Sequence, residues 1–404
     1  MSHFVIVGAG QAGSSLVVKL RELGFDGQIT LIGDETAPPY QRPPLSKAYL
    51  LGDMPRDRLF LRPESFYAER DITLRTGTTV TAIDPAAKTL QLGDDTIAFD
   101  QLALTTGSIP RLLPEAIGGR LEGVHCVRTL ADVDRMEPEF RPGRHVLIVG
   151  GGYIGLEAAA VAAKQGLKVT LVEMADRILQ RVAAPETSAF FRDLHAAHGV
   201  TIREGTGLTR LLGDARVTGA ELSDGSTLDV DFAIVGAGIL PDTRLAEAAG
   251  LTCDNGIAVD AHGQTSAPGI WAAGDCASFP HQGRHTGDRL RLESVPNAID
   301  MAECVAGNML GAAKDYVPEP WFWSDQYDMK LQIAGLNTGY DRVVIRHVED
   351  ARSHWYYAGD ILLAVDAMND PRGFMVAKRL LAAGKSPDPD AIADPATELK
   401  TLLR

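Results

Sequence analysis

Residues 146–173, VLIVGGGYIGLEAAAVAAKQGLKVTLVE, limit what this chain can fold into more than any other stretch. A short apolar run at 146–149 breaks at Gly150, Gly151 and Gly152, and Gly155 follows before an Ala-rich segment (156–164) with helical character. A second apolar run, 168–172, ends on Glu173. This is the pattern of a βαβ unit with Gly-x-Gly-x-x-Gly at the strand-to-helix junction. Gly150 permits the tight turn, Gly152 lets backbone approach a pyrophosphate, and Gly155 lets the helix sit close to the sheet. The helix N-terminus then offers free N–H groups and a positive dipole end to phosphates. A glycine triplet alone is weak evidence, because glycine also marks ordinary turns. Here strand, glycines, helix, second strand and terminal acid agree. Glu173 can accept hydrogen bonds from a ribose 2′-OH and repels a 2′-phosphate, so the expected dinucleotide is NAD rather than NADP.

The same signature occurs at the N-terminus. Residues 4–7 are an apolar run, Gly8, Gly10 and Gly13 follow, a helix is expected over 14–23, and a strand over 28–32 leads to Gly33-Asp34-Glu35. Two such units could be an internal duplication or sites for two different dinucleotides; the intervening sequence decides.

With 404 residues, two or three domains are expected. A net charge of −14 argues against a general nucleic-acid binder. No apolar run approaches the roughly 18 residues of a membrane span, and with a strand expected from the first residues on, no leader peptide is expected. The expected location is the cytoplasm. Cys126, Cys253, Cys276 and Cys304 have no metal-ligand spacing, so no metal is expected.

Between and beyond the glycine units, 40–47 (YQRPPLSK) reads as a proline-led helix start with surface charges. Segments 78–83, 89–92 and 96–99 alternate like a small antiparallel insert. Strands 102–106 and 232–235 end in glycine-containing loops (TTGSIPR and GAGILP), and 270–273 ends in Gly274-Asp275. Ligands of open parallel sheets gather at such strand ends. The last 85 or so residues hold three of the four tryptophans, with alternating strands expected at 330–334, 343–346, 354–357 and 361–365. The fold class is α/β: two Rossmann-like dinucleotide-binding domains plus a C-terminal α+β domain. The expected division is 1–112 and 239–319 for one nucleotide domain, 113–238 for the other, and 320–404 for the appendage.

Five motifs in this order, VGAGQAG (7–13), RPPLSK (42–47), TTGSIPR (105–111), GGGYIGLE (150–157) and AAGDCA (272–277), resemble the FAD-dependent pyridine-nucleotide oxidoreductases of glutathione-reductase-like fold. RPPLSK, ESVPN (293–297) and WFWSDQ (321–326) narrow the likeness to the ferredoxin reductases of oxygenase systems, the putidaredoxin and rubredoxin reductase branch. The likeness covers essentially the whole chain. It implies FAD on Gly8, Gly10 and Gly13, with Asp34 on the adenosine ribose in place of the commoner Glu. It adds Arg42, Lys47, Val80, Thr106, Arg111, Asp275, Val295 and Trp323 to the FAD shell. NAD is implied on Gly150, Gly152, Gly155, Glu173 and Gly238. Taken alone, Asp275 is also compatible with a plain Gly-Asp turn, Glu157 with a helix cap, and Trp323 with a core aromatic.

Disulfide reductases of this fold place a cysteine pair in the stretch matching residues 43–50, and here there is none. The resemblance therefore implies direct electron delivery: hydride from NADH to FAD, then single electrons to a [2Fe–2S] ferredoxin that supplies a cytochrome P450 or an aromatic-ring oxygenase. Lys47 and Glu157 are the expected catalytic pair. Glu157 is read into the first helical turn, where the dipole favours its ionised form. Arg289, Arg291 and Lys330 are candidate cations for docking an acidic ferredoxin. Monomer or weak dimer is expected. Two other readings share the motifs: an NADH oxidase or peroxidase, which usually needs a redox cysteine, and a redox-sensing interaction protein of the apoptosis-inducing-factor type.

Overall fold

The computed structural model describes residues 2–281 and 288–404. The chain divides into two compact units: Met1–Gln41, Pro55–Ile109 and Ile239–Pro320 in the first, and Arg42–Met54, Pro110–Gly238 and Trp321–Arg404 in the second.

The first unit is built on a five-stranded parallel sheet in the order Ile270–Ala272, Gln101–Leu104, His3–Val7, Gln28–Ile32, Ile72–Arg75. His3–Val7 is central, pairing with Gln28–Ile32 on one side and Gln101–Leu104 on the other. A strand covered on both faces should read as a continuous apolar run, and Phe4, Val5, Ile6 and Val7 are all buried. The helices Gln11–Glu22 and Val295–Met309 pack together above this sheet, with Leu16, Val17 and Leu20 facing Met301, Ala302 and Val305 in one core. The antiparallel insert is real but shorter than expected. Its strands are Ala82–Asp84, Thr89–Leu92 and Asp95–Ala98, and residues 78–81 are irregular. Val80 there buries its side chain in the core.

In the second unit, a parallel sheet in the order Thr201–Arg203, Lys168–Val172, His145–Val149, Phe232–Val235, Val124–His125 repeats the first plan. Val124–His125 is the edge strand, paired with Ala233 and Ile234. A helix that the pattern reading missed, Leu130–Met136, starts at a capping box: Thr129 accepts from the Asp132 N–H and Asp132 returns the bond to the Thr129 N–H. The C-terminal domain is a five-stranded antiparallel sheet, Trp321–Gln326, Met329–Gly335, Ile361–Met368, Ala351–Ala358, Arg342–Val348. Helix Pro371–Ala382 covers one face, opening with Asp370 as N-cap and Pro371 at its first position. It buries Phe374, Ala377 and Leu380 against Trp355 and Val365. Trp321–Gln326 is a strand where the sequence suggested only a motif; Phe322 between two tryptophans hides the two-residue alternation.

Candidate functional site

The two glycine turns are built alike. A Cβ on Gly8 would lie 2.1 Å from the Thr105 carbonyl oxygen, and one on Gly13 the same distance from the Gly8 oxygen. In the second unit, a Cβ on Gly150 would meet the Gly236 oxygen at 2.4 Å, and one on Gly155 the Gly150 oxygen at 2.1 Å. The first and third glycines are thus forced by backbone packed against backbone. The middle ones differ: a Cβ on Gly10 or Gly152 would find nothing within 4 Å. These are the positions that lie open at the helix N-termini, and there the cradle is left empty of protein atoms. Both helices, Gln11–Glu22 and Tyr153–Lys164, also lack a side-chain cap and any acid in the first turn. Unsatisfied N–H groups, a positive dipole end and open space suit a phosphate at each turn. The residues present therefore fit two dinucleotides.

Around the first turn, Thr105 Oγ1 donates to the Gly8 oxygen at 2.8 Å, tying the 105–107 loop to the glycines. Thr106 Oγ1 donates to the Asp242 carbonyl at 2.6 Å. Gly274 abuts Ala12, where a Cβ would come within 3.1 Å, and this holds Asp275 beside the helix start. Asp275 accepts from Ser108 Oγ at 3.2 Å, and its carbonyl accepts from Arg291 Nη1. Asp34 is exposed at the end of its strand, whereas its neighbour Glu35 takes the Tyr40 hydroxyl at 2.6 Å. Val295 opens its helix behind the Ser294 N-cap. Met301 is wholly buried in the core.

Four residues that the resemblance adds to that shell, Arg42, Lys47, Arg111 and Trp323, belong to the second compact unit. Arg42 Nη1 donates to the Arg128 carbonyl at 2.6 Å. The Arg111 N–H bonds the Gly238 carbonyl at 3.0 Å, and its side chain runs beside Gly238.

At the second turn, Glu173 is fixed by two backbone donors, Gly151 N–H at 2.7 Å and Ala175 N–H at 2.8 Å. Arg177, which could have compensated a 2′-phosphate, is committed elsewhere: it donates to Ser188 Oγ at 2.5 Å and to the Gln180 carbonyl. A 2′-phosphate would therefore meet a carboxylate without that counter-charge. We expect kcat/KM for NADPH to fall more than about tenfold below that for NADH, an effect of the size a close like-charge contact produces in partly solvated surroundings. Replacing Glu173 by Ala should narrow the ratio. Equal values for the two donors in the wild-type protein would refute the assignment.

One turn into the same helix, Glu157 is 2% exposed. Lys47 Nζ lies 3.0 Å from its Oε1. Ser324 donates to Oε1 at 2.7 Å and Ser46 to Oε2 at 2.5 Å. Burial raises the Glu157 pKa above the usual carboxylate range, against the opposing pull of Lys47, Ser46 and Ser324. This corrects the expected placement in the first helical turn. The helix begins at Tyr153, so Glu157 is its fifth residue, past the reach of the free N–H groups. Its charge is held by Lys47 and two hydroxyls, not by the dipole. Ser46 and Ser324 lie inside RPPLSK and WFWSDQ, and neither was given a role from sequence. Trp323 is half-buried and packs on Trp321, with ring centroids 5.6 Å apart.

Two expected docking cations are also corrected. Arg289 turns inward to Ser278 Oγ and the Val259 carbonyl, and Arg291 pairs with Glu293 at 2.6 Å. Lys330 remains exposed. The four thiols are unpaired. Burial pushes the Cys126 thiol up to about 11, the opposite of a reactive thiolate. Among the described residues no cluster has the makeup of a metal site, and no helix is long and apolar enough to cross a membrane.

Residues 2–302 match the pyridine nucleotide-disulphide oxidoreductase family model, and residues 321–403 match the reductase C-terminal family model. Rhodocoxin reductase of Rhodococcus erythropolis is 42% identical over 99% of this chain and 94% of its own. Putidaredoxin reductase of Pseudomonas putida is 41% identical over 99% of this chain and 96% of its own. The reductase in the crystal structure of the covalent putidaredoxin reductase–putidaredoxin complex superposes with a TM-score of 0.95 at 40% identity, covering 100% of this chain and 98% of that one. With paired glycine turns of this geometry and likeness along its whole length, the chain belongs to the pyridine nucleotide-disulphide oxidoreductase family, in the branch that carries the reductase C-terminal domain.

Proposed function

We propose that the buried Lys47–Glu157 pair serves hydride transfer from NADH in an NADH-dependent ferredoxin reductase. The observation that carries this reading is an ionisable pair at 3.0 Å, one partner almost wholly buried, in the helix that opens at the second dinucleotide turn. FAD, when bound, supplies the chemistry that accepts a hydride and releases electrons singly. The Gly8–Gly10–Gly13 turn would hold its pyrophosphate, Asp34 its adenosine ribose, and Asp275 its ribityl end, with Val80, Thr106 and Val295 completing the part of the shell that the first unit carries; Arg42, Arg111 and Trp323 are added by the family likeness alone. Gly150, Gly152, Gly155 and Gly238 would seat NAD, and Glu173 its ribose. Glu157 orients the nicotinamide and Lys47. Lys47 places a cation where negative charge accumulates as the hydride arrives, which lowers the barrier selectively.

No cysteine lies in residues 43–50 to relay electrons to a disulfide, so the electrons go to an external acceptor. The relatives are reductases named for rhodocoxin and putidaredoxin. By that likeness the acceptor is a [2Fe–2S] ferredoxin feeding a cytochrome P450 or a ring-hydroxylating dioxygenase. We place the protein in the cytoplasm, where unpaired thiols such as its four persist. Steady-state turnover of the FAD-loaded protein with NADH tests the reading: a [2Fe–2S] ferredoxin should be reduced at least tenfold faster, roughly, than dioxygen. Faster consumption of dioxygen would make the protein an NADH oxidase instead.

A further inference from the structure

A carboxylate can only accept hydrogen bonds, and from that one fact the polarity of a longer chain of groups follows. Ser324 Oγ must donate to Glu157, so its lone pair is free to accept from Gln326 Nε2, 3.2 Å away. The Gln326 amide is thereby oriented with Oε1 toward His195 Nε2, at 2.8 Å. His195 must then carry its proton on Nε2, which leaves Nδ1 bare to accept the Tyr327 hydroxyl at 3.1 Å. Burial lowers the His195 pKa to about 4, which keeps the ring neutral and able to accept at Nδ1. Ser324, Gln326 and His195 are all buried, and Tyr327 stacks on His198 at the outer end.

We propose that Ser324 is a positioning residue for Glu157, fixed from behind by Gln326, His195 and Tyr327, whose hydrogen bonds all donate toward that carboxylate. The proposal rests on the role given to the Lys47–Glu157 pair. The C-terminal domain thus contributes to the nicotinamide site through one hydroxyl on the Trp321–Gln326 strand.

The other elements packed on the Glu157 helix supply no competing charge. Those elements are the strands His145–Val149, Lys168–Val172, Phe232–Val235 and Trp321–Gln326 and the Pro43–Ser46 turn. His145 and Lys168 stand at the far ends of their strands, His145 bonded to Thr170 and the Asp229 carbonyl. Asp325 alternates to the opposite side of its strand from Ser324. Phe232–Val235 carries no titratable side chain. Lys47 is the cation that faces Glu157; the other titratable groups on the helix are Tyr153 at its start and the exposed Lys164 in its last turn.

Removing the Ser324 hydroxyl withdraws a donor from the charged form, so the Glu157 pKa rises further. The test compares Ser324→Ala, Ser324→Thr and Glu157→Gln, as FAD-loaded proteins, by the pH profile of NADH-driven flavin bleaching. It adds an infrared titration of the protonated Glu157 carboxyl, with Glu157→Gln identifying the band, and the 15N shifts of His195. Expected for Ser324→Ala is a loss that approaches about tenfold on the acid side of the wild-type midpoint, the worth of one hydrogen bond to a charged group. The loss should be recovered at higher pH because the midpoint of both profiles moves up by about one pH unit. Ser324→Thr should keep the wild-type midpoint, and wild-type His195 should show the Nε2–H tautomer. A uniform loss at every pH, an unmoved infrared midpoint, or the Nδ1–H tautomer overturns the proposal while leaving Glu157 in its role. A Glu157→Gln variant as fast as wild type overturns the role of the pair itself, and the proposal with it.

Discussion

Replacing Glu157 by Ala is expected to slow NADH-driven flavin reduction by about a hundredfold, the cost of a misplaced reacting group, with FAD still bound. The carboxylate sits at the centre of four groups: Lys47 and Ser324 on Oε1, Ser46 on Oε2, and the helix that carries it. Without it, Lys47 loses the partner that holds its ammonium in place, and the orienting role proposed for Glu157 toward the nicotinamide is lost. Lys47→Ala should produce a loss of similar size by a complementary route. The carboxylate left behind is buried and unpaired, so it takes up a proton, and the cation that favours the transition state is gone. Because each variant disables the same pair, the double variant should be little slower than either single one. Anaerobic stopped-flow at saturating NADH reads the step directly. A lower flavin potential should accompany Lys47→Ala but not Glu157→Ala. Wild-type rates in both single variants would make the pair structural. Loss of FAD from Lys47→Ala would instead move Lys47 into the binding shell, and Lys47→Arg then becomes the informative variant.

The glycine turns were legible in the sequence because what they require is local. Positive φ at Gly8 and Gly150, and backbone within 2.5 Å of a would-be Cβ, leave glycine as the residue that fits. The surroundings of Glu157 were not legible, because its partners come from far along the chain. Ser46 is 111 residues away and Ser324 is 167. A serine carries no mark of which carboxylate it will meet. The placement of Glu157 in the helix was misread for a smaller reason. The Tyr153-Ile154-Gly155 start has weak helical propensity, yet the open turn at Gly152 allows the helix to begin there. The docking arginines failed differently: a basic pair before a turn looks exposed in sequence, and only the fold reveals that Arg289 is spent on the carbonyl of Val259. Strand Trp321–Gln326 was masked by three consecutive aromatics, although its aromatic content was itself a strand signal.

A second large effect is expected from a buried acid outside the Lys47–Glu157 pair. Asp366 is 1% exposed, on the Ile361–Met368 strand. Its Oδ2 accepts from Thr187 at 2.8 Å and from the Tyr356 hydroxyl, which in turn accepts from the Ala184 N–H at 3.0 Å; its Oδ1 has no partner. Among the described residues no cation bonds to it. Burial pushes its pKa up to about 6. For a group whose folded pKa lies above its unfolded one, the stabilising contribution is present below the unfolded value, near 4, and is lost as pH rises through about 6. Two histidines of this unit act in the opposite direction. Burial lowers His354 to about 3 and His195 to about 4, so both oppose folding as pH falls below the ordinary histidine range. The Asp366 contribution must therefore be read as a difference. Asp366→Asn keeps an acceptor for Thr187 and Tyr356 but cannot ionise. Between pH 4 and pH 8 the stability of this variant relative to wild type should improve by about 2–3 kcal/mol, with most of the change between pH 4 and pH 6. Urea unfolding of the two proteins across that range measures the gap. Whatever fixed cost the new amide N–H brings shifts the whole difference curve without changing its slope. Parallel curves would mean that Asp366 is ionised throughout, held by a donor on Oδ1 such as the nearby Tyr153 hydroxyl, which is also without a hydrogen-bond partner.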